Sequence, residues 1–265
     1  MREKGALMAR TKILDEDMAN NRSKLIPIAI CVDRSWSMNE GTKKPDLEAA
    51  LKKFYRDVED DPRTRYGADL CLIGFSGEAA VIQPFTGIDS VDRDVHLELE
   101  MTGTNISGAV SLALDLLAKR REYYKQAAGG RRAARPTLVL MTDGGSNVGV
   151  EDEPRVIKQV QEMADQRKLT VITIAIGDDG ELDWETLVDF SPEIPPLQLE
   201  GLTSFKEFFR ILSDSMSRSA SEGSEAGPEI EPEDIEEYVP ADTLKQVVTR
   251  EKLDKYKNYK EMFQG

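Results

Sequence analysis

Four short apolar runs, residues 25–33 (LIPIAICVD), 68–75 (ADLCLIGF), 137–142 (TLVLMT) and 169–176 (LTVITIAI), constrain this chain more than any other feature. Runs of this length without polar alternation suit strands covered on both faces, which belong to parallel sheets flanked by helices. The stretches between them have helical spacing. Residues 46–59 put Leu47, Leu51, Phe54, Tyr55 and Val58 on one face behind Pro45, and residues 106–117 do the same with Ile106, Val110, Leu114 and Leu117. Further helices are expected at about 153–167 and 183–190, a weak strand at 197–199, and a long helix at 203–218. Its Phe205, Phe208, Phe209, Leu212 and Met216 form a core stripe. Residues 79–84 follow the second run after only Ser-Gly-Glu, a spacing that calls for a hairpin, and Pro84 suits an edge position. The expected fold class is α/β, a doubly wound, mostly parallel sheet with one antiparallel edge strand and helices on both faces. Such sheets bind ligands beyond the carboxyl ends of their strands, where strand order reverses. Function is therefore sought in the loops after residues 33, 75, 100 and 142.

Charge and composition exclude several classes. With 35 Lys and Arg against 49 Asp and Glu, the net charge is −14, which disfavours nucleic acid as a partner, because that affinity rests on neutralising phosphates. No apolar run is long enough to span a bilayer, and the first 24 residues lack the apolar centre of a signal peptide, so no membrane association and a cytoplasmic location are expected. The two cysteines, Cys31 and Cys71, lie inside apolar runs and read as buried reduced thiols. With a single histidine, His96, read as a surface residue, neither a Cys/His metal site nor a Ser-His-Asp or Cys-His pairing can be assembled. Residues 1–24 read as an N-terminal extension and 25–218 as the folded domain. Residues 219–240, with eight acidic residues and no basic one, read as an acidic linker, and 241–265 as a helical tail that docks on the domain or on a partner. Seven basic residues between 119 and 135 (Lys119, Arg120, Arg121, Lys125, Arg131, Arg132, Arg135) form a patch that the acidic 222–237 stretch is expected to cover.

Chemistry concentrates at strand ends. The first run leads into Asp33-Arg34-Ser35-Trp36-Ser37, which sets one carboxylate and two hydroxyls at alternate positions. Thr104 stands before a helix in MTGTNISG, and the third run delivers Asp143 in TDGG. If the 25–33 and 137–142 strands are neighbours, these loops meet above the sheet. Two carboxylates and three hydroxyls, without sulfur or imidazole, favour a hard octahedral cation, Mg²⁺ first and Mn²⁺ second.

These residues resemble the von Willebrand factor A domain, whose metal-ion-dependent adhesion site is Asp-x-Ser-x-Ser, a distant Thr and a distant Asp; here they are Asp33, Ser35, Ser37, Thr104 and Asp143. The resemblance covers about residues 25–218, and GFSGEAAVIQPFT with FKEFFRILSDSMSRS is most similar to the bacterial TerY/YegL-like branch linked to tellurite resistance and phage defence. It implies a non-enzymatic adaptor: Ser35, Ser37 and often Thr104 bind the ion directly, Asp33 and Asp143 act mainly through waters, and a protein partner supplies an Asp or Glu. Partners in TerY-like systems include kinase- and phosphatase-type proteins, by the same implication. Trp36 departs from the glycine common at its position and is a candidate partner anchor, with Asn105 beside it. Asp178, Asp179 and Asp183 are candidates for a second cation, against a bland role in solvation or helix capping. Two rival readings stand. One is a Mg²⁺-dependent phosphohydrolase of the haloacid dehalogenase kind with Asp33 as nucleophile, although Ser35 occupies the place of its general acid. The other is a scaffold that binds through its tail.

Overall fold

β1 (Ile26–Asp33) is buried along its whole length, which requires a strand inside a sheet that is covered on both faces. The computed structural model, which describes residues 24–126, 132–221, 227–249, 252 and 256, places it there. β1 pairs in parallel with β2 (Ala68–Phe75) on one side and β4 (Thr137–Thr142) on the other. β3 (Ala79–Gly87) adds an antiparallel edge to β2, while β5 (Thr170–Ile176) and β6 (Leu197–Leu199) extend the parallel side. The order is β3-β2-β1-β4-β5-β6. Strand order therefore reverses between β1 and β4, and the loops leaving these two strands open a crevice at their carboxyl ends.

Alternation along the strands divides the core in two. Ile28, Ile30 and Val32 face α1 (Lys43–Asp60) and α5 (Gly201–Ser221), which are held together by Phe54 and Phe209 with ring centroids 5.0 Å apart. Ala29 and Cys31 face α2 (Ile106–Gln126) and α3 (Glu153–Asp165). Both cysteines are free and buried, and burial pushes their thiols well up. The short α4 (Trp184–Asp189) adds Trp184 and Leu187 to the first core. Among the described residues no helix is long and apolar enough to cross a membrane.

Three segments depart from the sequence reading. α2 continues past residue 117 because Arg120 and Tyr124, on its later turns, both bond the buried Asp69 at the start of β2. β3 runs through Pro84 to Gly87, with register shifts opposite Leu70–Ile73; an edge strand accommodates a missing N–H in this way. The third concerns the acidic segment. From residue 227 to 240 it is not a solvated linker, since Ile230, Ile235 and Val239 are buried against the α1/α5 core and Glu229 pairs with Arg135 at 3.0 Å. Widely spaced apolar residues anchor it while its glutamates stay in water. It includes α6 (Pro232–Ile235) and leads to α7 (Ala241–Val247); beyond these Tyr256 is buried, its hydroxyl donating to the Ser191 carbonyl at 2.7 Å. Residues 1–23, 222–226, Arg131, Leu253 and Tyr259 lie outside the described residues.

Candidate metal centre

β1 ends by turning, and the turn is pinned to the neighbouring strand and loop. The Arg34 N–H donates to Phe75 O, the Arg34 carbonyl accepts from Glu100 N–H, and Ser35 pairs with Glu100 in an isolated bridge. This clamp fixes Asp33, Ser35 and Ser37. Asp33 is fully buried; its Oδ1 accepts from the Ser35 N–H at 2.7 Å and its Oδ2 from the Thr142 hydroxyl at 2.5 Å. Ser35 Oγ and Ser37 Oγ are 2.9 Å apart, and the Ser37 hydroxyl donates to Asp143 Oδ1 at 2.8 Å. Two strand ends, β1 and β4, thus bring Asp33, Ser35, Ser37 and Asp143 into one hydrogen-bonded group.

Thr104 is tied by its backbone to the loop that follows Asp143. Its N–H donates to Asn147 Oδ1 at 2.8 Å, and its carbonyl accepts from the N–H groups of Asn147 (2.9 Å) and Val148 (3.2 Å), which stitches the loop before α2 to the loop after Asp143. Gly103 makes this approach feasible: at φ +92° it has a conformation side chains rarely adopt, and a Cβ there would meet Asn147 Oδ1 at 2.6 Å. Among the described residues, no hydrogen bond runs from the Thr104 hydroxyl to the other four candidates.

The electrostatics of the two carboxylates differ. Burial pushes the Asp33 carboxyl up to about 6, against the bonds from Thr142 and Ser35, and the nearby Asp143 charge adds to the rise. Asp143 meets the Lys43 ammonium at 3.1 Å, and the same ammonium lies 3.4 Å from both Glu40 and Glu181. Burial works against that ammonium, but the charge and bonds of Asp143, with bonds to Glu181 and Glu40, outweigh it and raise Lys43 above its ordinary range. Lys43, Thr142 and Asn147 are the functional neighbours that sequence reasoning missed. Lys43 did leave a signal: a lysine as the first residue of a helix opposes the macrodipole and needs compensating carboxylates.

The residues fit a small hard cation. Ligands about 2.1 Å from an octahedral ion stand about 3.0 Å from one another along each edge; the 2.9 Å hydrogen bond between the Ser35 and Ser37 hydroxyls is compatible with that length, and the Ser37 hydroxyl's bond to Asp143 keeps a carboxylate beside it. Every candidate donor is oxygen.

The remaining candidates separate. Trp36 is half exposed at the rim. Asn105 instead caps α2: its Oδ1 accepts from Gly108 N–H at 2.7 Å and from the Ser107 hydroxyl, and its amide donates to Gly77 O, so its polar atoms are used within the chain. Asp183 caps α4, accepting from the N–H and hydroxyl of Thr186, while Asp178 is exposed and the Asp179 side chain lies outside the description. Among the described residues no cluster of three or more His, Cys, Asp and Glu could hold a further ion.

A model of the von Willebrand factor type A domain matches residues 28–207. The chain belongs to this family. Solved structures of similar fold include a von Willebrand factor type A protein from Catenulispora acidiphila, at 17% identity and TM-score 0.57, where the match covers 72% of this chain and 42% of that one. The open conformation of the pilus adhesin SpaC from Lactobacillus rhamnosus GG gives 12% and 0.55 over 74% of this chain and 30% of that one. The vWF domain of the type V pili tip protein Mfa5 from Porphyromonas gingivalis gives 12% and 0.54 over 76% and 98%. At these identities the likeness is one of fold, and this chain spans under half the length of the first two. No curated protein matches by sequence. Von Willebrand A domains are commonly metal-dependent protein-interaction modules and are generally not enzymes.

Proposed function

We propose that this von Willebrand A domain is a metal-dependent adaptor that binds a protein partner through an acidic residue. The observation that carries the reading is the oxygen-only group at the β1/β4 switch point, where the Ser35 and Ser37 hydroxyls stand 2.9 Å apart and the two buried carboxylates bond to the same turn. In this reading Ser35, Ser37 and Thr104 would hold Mg²⁺, with Mn²⁺ as the alternative, and Asp33 and Asp143 would support it through water. Mg²⁺ supplies a charge that a partner carboxylate can meet in a partly desolvated cleft. The chain's own contribution is positioning: the Arg34–Glu100 clamp holds the serines, and Thr142 orients Asp33.

The phosphohydrolase alternative gains nothing from the geometry, because both Asp33 oxygens are taken by hydrogen bonds and Ser35 stands where a general acid is needed. The tail-scaffold alternative is weakened by Tyr256 and Lys252, which bond to carbonyls at the end of α4 within this same chain. The finer reading, a cytoplasmic TerY-like adaptor for kinase- or phosphatase-type partners in stress resistance or phage defence, rests on the resemblance of residues 74–86 and 205–219. Affinity purification from the native cell, analysed by mass spectrometry, tests the adaptor reading. Partners captured by the wild type in Mg²⁺ are expected to be lost in EDTA and with Asp33→Ala. An identical set in all three arms contradicts it.

A further inference from the structure

Among the described residues eight large apolar side chains are exposed, and four of them, Trp36, Met101, Val148 and Val150, lie on the loops that carry the candidate metal ligands. Their placement follows the candidate ligands. Trp36 sits between Ser35 and Ser37, Met101 follows the Glu100 that pairs with Ser35, and the Val148 N–H bonds the Thr104 carbonyl. Met101 is 79% exposed and Trp36 53%, on a chain whose core is otherwise well closed. The outer neighbours are acidic: Glu40 and Glu100 reach solvent from the same loops, and Glu181 from the loop after β5, where it meets Lys43. Exposed apolar groups gathered around a polar centre mark an interaction surface, with tryptophan and methionine the types that anchor and adapt at such surfaces.

We propose that this apolar collar selects the partner: the site takes a single Asp or Glu flanked on the partner by large apolar residues, and rejects acidic runs. The inference rests on the metal-dependent reading above and deepens it. Apolar flanks packed on Trp36, Met101 and Val148 exclude water from the carboxylate's bond and strengthen it. A second partner carboxylate would instead be desolvated on apolar surface and face Glu40, Glu100 or Glu181, on a chain of net charge −14.

The test pans a random peptide library on phage against the full chain in Mg²⁺, in EDTA, and against the W36S/M101S/V148S variant, with Met101→Ser alone as a second variant. Thermal melts certify that each variant folds. The expected enrichment, in Mg²⁺ only, is of peptides with one acidic residue beside large apolar ones. Synthetic versions should bind the triple variant at least tenfold and Met101→Ser severalfold more weakly, and should shift Trp36 emission to the blue, Trp184 being already buried. Metal-dependent enrichment of acidic runs or of acidic residues in polar contexts, undiminished binding to the folded variants, or no enrichment would overturn the collar while leaving the metal reading intact. Equal enrichment in EDTA would overturn both.

Discussion

Two buried aspartates stand at opposite ends of neighbouring strands, and their surroundings differ in one respect. Asp69, at the amino end of β2, meets the Arg120 guanidinium at 2.5 Å and the Tyr124 hydroxyl. Asp33, at the carboxyl end of β1, is equally enclosed but meets only hydroxyl and amide groups. One carboxylate carries its counter-charge within the fold. The other has no cation beside it, and burial pushes its carboxyl up to about 6; in the proposed reading the counter-charge comes from outside. The contrast separates a structural ion pair from the proposed binding site more sharply than burial alone.

Removing the structural aspartate has the largest expected effect. Asp69→Ala strands the mostly buried Arg120 cation, and a loss of about 3 kcal/mol is expected in chemical denaturation, unrelieved by Mg²⁺. Next, saturating Mg²⁺ at about a hundred times its dissociation constant should stabilise the wild type by about 2.7 kcal/mol. Asp33→Asn should abolish that gain while changing metal-free stability by less than about 1 kcal/mol, because the amide keeps the shape and loses a penalised charge. If Asp33→Asn were as costly as Asp69→Ala, the two aspartates would be alike and the contrast would fail. Lys43→Met sharpens the same point, since freeing Asp143 from a competing ammonium should tighten Mg²⁺ about threefold to tenfold by calorimetry. Asn105→Ala is expected to cost about 1 kcal/mol as a lost helix cap, leaving Mg²⁺ affinity unchanged.

Much of the fold was legible because burial on two faces writes itself into composition. The 137–142 and 197–199 strands have the expected bounds, and the Phe205 to Met216 stripe is buried throughout. That Asp33, Ser35, Ser37 and Asp143 meet was legible too, since spacing at a strand end survives without knowledge of the fold, whereas the Thr104 hydroxyl makes no bond to them among the described residues. What was hidden depended on distant pairing. Arg120 and Tyr124 on the last turns of α2 find Asp69 on β2, Thr142 reaches Asp33 only because β4 adjoins β1, and Lys43 finds Asp143 across the crevice. The acidic segment misled for a different reason: its charge density concealed Ile230, Ile235 and Val239, three anchors too widely spaced to show a period.

Isothermal titration of the metal-free full chain with Mg²⁺ tests the central claim most directly. The expected result is saturable binding of one ion per chain, abolished in Asp33→Asn and retained in Asp178→Asn. No saturable heat, or the same isotherm in all three proteins, would contradict it.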